Sequence, residues 1–301
     1  MQKFMPSARA AVLRPLVYHS REKPVDIKTR REAFAEELRF VAHVRSDRVI
    51  EAFATVPRER FLGSRPWQVA ELGGGYWEVP GDDPGAAYHN VLFAIDAERE
   101  LNNGHPEFWC RLLDKLEIRA GDKVFHVGAG TGYYTAIMAE LASPGGSVIA
   151  AEVDQELAGR ARANLARMAN VEVVAADGAS FDAGSVDVVV VNAGATHPVQ
   201  AWLDALMPGG RLLLPLTADN RQGSVFRIER QSAGGGFSAS AVSGVSIYPC
   251  AGARTPLAAQ RLAWALGRGG QHFVRSLRLD PHEAGHTCWL HGAGYCFSIQ
   301  P

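Results

Sequence analysis

Val124-Phe125-His126-Val127-Gly128-Ala129-Gly130-Thr131-Gly132-Tyr133 joins a short apolar run to three glycines at alternate positions, and residues Tyr133 to Leu141 continue with helical patterning. A strand, a tight glycine turn and a helix N-terminus make a corner at which a nucleotide binds. Glycine lets the backbone approach a ligand closely, because no Cβ stands in the way. The first helical turn adds N–H groups that lack intrahelical partners.

The spacing narrows the ligand. A dinucleotide fingerprint runs G-x-G-x-x-G. Here the third glycine comes one residue early, at Gly132, and Tyr133 takes its place. The G-x-G-x-G form is the one used by S-adenosyl-L-methionine (SAM) enzymes, which release S-adenosyl-L-homocysteine. Gly128, Ala129, Gly130, Thr131, Gly132 and Tyr133 are therefore expected cofactor contacts.

Three further apolar runs follow. Ser147 to Ala151 closes on Glu152 and Val153, Val171 to Ala176 closes on Asp177 and Gly178, and Val186 to Val191 closes on Asn192. An acidic residue about 20 positions past the glycine loop suits a ribose diol, since one carboxylate accepts from both hydroxyls. Asp177 is placed to accept from an adenine amino group. Helical segments, Gln155 to Met168 and Pro198 to Leu206, separate the runs. This alternation predicts an α/β fold: a Rossmann-like, doubly wound, mostly parallel sheet with helices on both faces. Ligands in such sheets bind beyond the carboxyl ends of the strands, where all of these residues fall.

With these motifs the chain resembles the protein-L-isoaspartate O-methyltransferases. Gly128 to Tyr133 is similar to that family's G-T-G-S-G-Y, and Val56-Pro57-Arg58-Glu59-Arg60-Phe61 to its V-P-R-x-x-F. Ala87-Tyr88-His89-Asn90 resembles its A-Y-x-D, and Met207-Pro208-Gly209-Gly210 followed by Arg211 to Pro215 resembles its last-helix turn and the strand after it. The likeness runs from about Val44 to about Cys250. It implies a seven-stranded SAM-methyltransferase sheet and transfer of a methyl group to a carboxylate of a peptide, protein or small molecule.

The chain departs from the family on the acceptor side. The family carries Q-T-I-S before a proline, with its serine beside the reacting carboxylate. Counting from Ala87-Tyr88 puts Asn102 at that serine, and counting back from Pro106 puts Gly104 there. The family's acidic residue after A-Y is Asn90. The resemblance then implies a retained SAM site with a changed acceptor. Asn102 and His197 are the candidate catalytic residues, and Tyr88, Asn103, Gly104 and His105 the candidate substrate contacts. His197 follows the fourth run, where it serves as a general base, binds substrate or simply leads into a helix. His105 orients a carboxylate or faces solvent. A carboxylate is already ionised at neutral pH and needs little base, whereas an amine or hydroxyl acceptor needs a proton acceptor.

Two alternatives stand beside carboxylate methylation. One is N- or O-methylation of RNA or a small metabolite; Asn192-Ala193-Gly194-Ala195 lacks the Pro-Pro-aromatic motif common in base methylation. The other is a non-catalytic SAM-binding module, whose mark would be a damaged cofactor site. The net charge of −1 gives no bulk attraction to nucleic acid. No apolar stretch approaches the ~20 residues of a membrane span. The four cysteines, at 110, 250, 288 and 296, are too few and scattered for a disulfide scaffold, so a cytoplasmic protein with free thiols is expected.

Residues 1–30 read as a basic lead segment, either a nucleic-acid arm or a solvated stretch. Residues 31–105 read as a helical and loop region on the substrate side. Its glycine- and proline-rich run from Ala70 to Gly85 is either a flap or a surface insertion. Residues 106–254 read as the SAM-binding domain. Within it Val225 to Arg230 and Phe237 to Tyr248 form an antiparallel pair about Gly234-Gly235-Gly236. Residues 255–301 read as a C-terminal β extension: a helix over Leu257 to Leu266, then strands over Val274 to Leu279 and Cys288 to Ser298. It completes the sheet edge or offers a homodimer contact. His282-Glu283-Ala284-Gly285-His286 matches the HExxH zinc signature. Pro281 and Gly285 argue against the stable helix which that chemistry needs, and Cys288, His291 and Cys296 fit no familiar zinc spacing. A polar turn with no metal is the expectation.

Overall fold

The computed structural model describes residues 26–301 apart from Leu72, Ala233 and Gly234. Most of the basic lead segment lies outside these residues. The described chain opens with α1 (Ile27–Val41), capped by the Asp26 carboxylate, and α2 (Asp47–Thr55), capped by Ser46. Two small hairpins follow: β1 (Gln68–Ala70) with β2 (Tyr76–Glu78), and β3 (Ala94–Asp96) with β4 (Leu101–Asn102). The glycine-rich run thus carries a strand of its own, β2.

Next come α3 (Pro106–Leu116), β5 (Lys123–Val127), α4 (Tyr133–Ala142), β6 (Ser147–Glu152), α5 (Gln155–Leu165), β7 (Val171–Ala175) and β8 (Val186–Val191). After α6 (Gln200–Ala205) the chain enters β9 (Leu206–Thr217), β10 (Gln222–Arg230) and β11 (Phe237–Ser246). The C-terminal part adds α7 (Pro256–Arg268), β12 (Ser276–Arg278), β13 (Cys288–Gly292) and β14 (Tyr295–Ser298). The helix expected over Pro198 to Leu206 is shorter, because Leu206 already pairs with Val186 as the first residue of β9.

One sheet of ten strands organises the molecule, in the order β13-β14-β12-β11-β10-β9-β8-β5-β6-β7. Seven of these strands, β5–β11, lie within residues 106–254, and three, β12–β14, lie in the C-terminal extension. The block β9-β8-β5-β6-β7 is parallel throughout, whereas every pairing from β9 outward to β13 is antiparallel. The C-terminal extension continues the same sheet.

Alternation along the strands divides the core in two, since successive side chains point to opposite faces. Val124, Val188 and Val190 face a cluster with α1, α2, α3 and α4. Phe125, Val127, Val189 and Val191 face a second cluster with α6 and α7. Burial on both faces explains why β8 reads as an unbroken valine run. The chain order reverses between β5 and β8: β6 lies on one side of β5 and β8 on the other. Such a reversal opens a crevice at the strand ends. No helix among the described residues is long and apolar enough to cross a membrane.

Candidate active site

The glycine corner sits at the end of β5. Gly128 and Ala129 donate to the Ala151 carbonyl at 2.9 and 3.2 Å, tying the loop to β6. Gly128 (φ 82°) and Gly132 (φ 94°) are both left-handed, and an added Cβ at Gly132 would stand 2.7 Å from Leu165 Cδ1. Gly132 therefore sets the close approach of α4 to α5. Gly130 (φ 56°) differs: a Cβ there would meet only Ile95 Cδ1, at 3.6 Å, on the open side.

Glu152 ends β6. Its Oε2 accepts from the Gly130 N–H at 2.7 Å and its Oε1 from the Asp154 N–H at 3.0 Å. It is 7% exposed, and burial raises its pKa above the usual carboxyl value. An ionised carboxylate has roughly four acceptor sites, so two backbone bonds leave room for ligand donors. Asp154 caps α5 through the Glu156 and Leu157 N–H groups and pairs with Arg99 at 2.6 Å. Those contacts, the Leu157 bond foremost, hold its pKa below the ordinary carboxylate range. Asp177, after β7, accepts from the Ala179 N–H at 2.9 Å. The turn after it is held by the buried Trp202 of α6, whose indole N–H donates to the Gly178 carbonyl at 2.8 Å. Asn192, at the end of β8, donates from Nδ2 to the Gly128 carbonyl at 3.1 Å.

The far wall comes from residues 92–108 and 244–251. Arg58 organises the stretch 87–91 that leads into the first of these segments, from within the core. It is wholly buried and donates to the carbonyls of Ala87, His89 and Val91 at 3.0, 2.8 and 2.8 Å. Asn90 joins that segment to α3: its Oδ1 accepts from the Glu107 N–H at 3.0 Å, a capping bond that the His105 side chain does not make. The second segment crosses the end of β8, where Gly194 donates to Tyr248 O at 2.7 Å and accepts from Cys250 N at 2.9 Å.

Between the walls lies a cavity of about 610 Å³, within the range of small-molecule sites. Gly128, Gly130, Glu152, Val153, Asp177, Gly178 and Asn192 line one side, and Asn102, Gly104 and His105 line the other. Leu92, Ile95, Leu157, Phe108 and Trp109 supply apolar surface, and Arg99 and Arg221 line it as ion pairs with Asp154 and Glu100. Cys250 also lines it, but burial pushes its thiol up to about 12, so it is protonated at neutral pH.

Comparison with known proteins agrees with this geometry. Residues 79–253, more than half of the chain, match the family model for protein-L-isoaspartate(D-aspartate) O-methyltransferase. The chain belongs to this family. A protein-L-isoaspartate O-methyltransferase of Methanopyrus kandleri is 32% identical over 209 residues, covering 68% of this chain and 84% of its own. One from Aeropyrum pernix is 35% identical over 192 residues, 62% of this chain and 66% of its own. Among solved structures, a protein-L-isoaspartate O-methyltransferase superposes with a TM-score of 0.62 at 20% identity, over 83% of this chain and 72% of that one. A Plasmodium falciparum structure named for the same activity, solved with S-adenosyl-L-homocysteine, gives 0.57 at 18% identity, over 73% of this chain and 97% of that one. At these identities the two structures establish the fold. By family, the chain is a SAM-dependent methyltransferase.

Several residues singled out in the sequence stand apart from the cleft of this methyltransferase. His197 is not on its wall. It is half-buried, 3.1 Å from the Thr196 hydroxyl, and stacks near Tyr295 with ring centroids 6.4 Å apart. Tyr88 is buried against Phe34, and its hydroxyl donates to Glu59. Tyr133 is buried beside Phe53, Phe61 and Arg58, which makes it a core residue. Ala129, Thr131 and Gly132 shape the loop without lining the cavity, and Asn103 is buried with its Nδ2 unpartnered. Asn102 does line it, its Oδ1 accepting from the Tyr76 hydroxyl at 3.1 Å. Gly104 (φ 78°) lines it too, and an added Cβ would stand 2.7 Å from the Tyr134 ring. Sequence reasoning missed Arg99, Arg221 and the 244–251 wall. An Asn-Arg pair in the turn between β9 and β10 was the only local signal for Arg221, whose φ is 65°.

Proposed function

We propose that the chain transfers a methyl group from SAM to a carboxylate of a peptide or protein. The observation that carries this reading is the make-up of the acceptor wall. The cleft is lined by Arg221, paired with Glu100, and Arg99, paired with Asp154, while His197, one candidate general base from sequence, lies elsewhere. A carboxylate nucleophile needs positive charge to hold it and no base to ionise it.

The residues present fit the cofactor. Glu152 has unused acceptor capacity, Gly130 leaves an open backbone cradle and Val153 is 53% exposed beside them. Glu152 would hold the ribose hydroxyls, Asp177 the adenine amino group, and Val153 and Leu157 the adenine faces. When bound, SAM supplies a methyl group activated by its sulfonium. Arg221 is held by Glu100 at 2.9 Å and by the Tyr248 ring at 5.3 Å, and would orient the acceptor carboxylate. Holding the reacting oxygen in line, about 3–3.5 Å from the methyl carbon, supplies much of the rate. The apolar wall of Phe108, Trp109 and Ile95 excludes water from the reacting groups.

Asn102 or Gly104 stands where the family has serine. The Asn102 amide is engaged with Tyr76 and with the Glu100 carbonyl. We infer an acceptor preference different from that of an isoaspartyl peptide. Methyl-labelled SAM should be supplied with isoaspartyl and aspartyl peptides of the same sequence and with a protein extract. The expected result is base-labile label, the mark of a carboxyl methyl ester, with little selectivity for the isoaspartyl form. Base-stable label would refute carboxylate transfer. Selective isoaspartyl turnover would refute the changed preference alone. Arg221→Gln should raise KM for the carboxylate acceptor with little change in SAM affinity.

A further inference from the structure

We propose that His282, Cys288, His291 and Cys296 form a structural zinc site in the C-terminal extension. One ligand atom from each lies within 4.8 Å of all the others. The four arrive from separate places. His282 stands on the loop after β12, Cys288 begins β13, and His291 and Cys296 are directly opposed across the β13–β14 hairpin. Two thiolates and two imidazoles are a donor set that selects zinc. Zn–S bonds of about 2.3 Å and Zn–N bonds of about 2.0–2.1 Å put tetrahedral donors about 3.3–3.8 Å apart. Rotation about the side-chain bonds closes that difference.

The rings are already aimed. His282 donates from Nδ1 to the Asp280 carbonyl at 2.8 Å, which leaves Nε2 free and 3.6 Å from Cys288 Sγ. A backbone acceptor on one ring nitrogen is the usual device for presenting the other to a metal. His291 Nδ1 is buried with no hydrogen-bond partner. The HExxH reading does not describe this arrangement. Glu283 and His286 are exposed and stand outside the group. The ligands instead follow the order His-x5-Cys-x2-His-x4-Cys, which the sequence alone did not suggest, so the metal-free polar turn expected there is revised.

With four protein donors the site has no open position, so its work is to fasten structure. It joins the 279–287 loop to the outermost hairpin of the sheet. That hairpin carries Trp289 and Phe297, whose rings sit 5.4 and 4.8 Å from Phe226 of β10. Because zinc binds the folded arrangement, its binding energy adds to stability.

The test uses the full-length untagged chain. Elemental analysis should find one zinc per chain, and chelation should lower the thermal midpoint, with recovery on adding zinc back. Cobalt substitution should give a thiolate-to-cobalt charge-transfer band and the d–d bands of a tetrahedral ion. Cys288→Ser and His282→Gln should lose the metal and the bands, whereas His286→Gln should keep both. His282 lies on a loop, so its variant remains informative if Cys288→Ser fails to fold. The proposal is overturned if the reduced chain takes up neither zinc nor cobalt. It is equally overturned if Cys288 and Cys296 form a disulfide in the native protein that, once reduced, still binds no metal. Loss of metal in His286→Gln with retention in His282→Gln would favour the HExxH reading instead.

Discussion

Replacing Glu152 by glutamine changes one atom and tests the cofactor site. Both carboxylate oxygens already accept backbone N–H groups, from Gly130 at 2.7 Å and Asp154 at 3.0 Å. Glutamine keeps one acceptor oxygen and turns an NH₂ toward the other N–H. One backbone donor then goes unpaired in a site that is 7% exposed, at a cost of about 1–3 kcal/mol. The ligand also loses a charged partner for its ribose hydroxyls, worth about 1.5–3 kcal/mol, or roughly ten- to a hundredfold in affinity. Calorimetric titration with S-adenosyl-L-homocysteine reads the second effect, and thermal melting without ligand reads the first. Burial raises the Glu152 pKa, so the parent should lose affinity as acidification protonates this carboxylate, and the variant should lack that dependence. If the melting temperature falls while affinity stays within twofold, Glu152 is a staple of the loop and does not hold the ribose.

Other outcomes follow from the same geometry. Gly130→Val places a branched side chain at φ 56°, facing the cleft; calorimetry should find S-adenosyl-L-homocysteine binding abolished in a chain with a folded circular-dichroism spectrum, and unchanged affinity would refute the cradle. Arg58→Met removes three hydrogen bonds to carbonyls and should cost about 3–5 kcal/mol in urea unfolding; a loss below about 1 kcal/mol would refute the organising role of this cation. His126 is fully buried, and burial lowers its pKa from 6.5 to about 3. The unfolded chain therefore binds its proton first: this contribution to stability is intact above about pH 6.5, shrinks as the pH falls toward 3, and has dropped by about 2 kcal/mol at pH 5. His126→Gln should flatten the corresponding limb of the urea-midpoint profile against pH.

The parallel block was legible because each of its strands is a compact apolar run. β5, β6, β7 and β8 are bounded by glycine, acidic or amide residues, and the residues at their ends are the ones that meet at the cleft. The outer sheet was less legible. β12 spans three residues and β14 four, and strands so short carry almost no alternation. Tyr133 was read as a ligand contact because it closes the glycine motif, yet a residue at the first helical position turns as readily into the core, where Phe53 and Phe61 receive it. His197 follows the fourth strand by only a few residues, and sequence distance from a strand end does not say which way the chain turns. The Cys and His residues were visible in the sequence but their grouping was not, for a similar reason: β pairing sets His291 against Cys296, and only the folded loop brings His282 to them.

The match to the family model ends at residue 253, but the hydrophobic interior does not. Phe226, inside the matched region, rests on Trp289 and Phe297 from beyond it, and Leu262 and Ala265 of α7 are fully buried in the same cluster. A chain cut after residue 253 would bare this apolar face and leave β11 as an unprotected outer strand, a template for pairing with other molecules. The end of the matched region is therefore not a limit of folding. The last 48 residues can diverge freely in sequence only while they keep covering that face, so the shortened enzyme would be lost to aggregation before its cleft could be assayed.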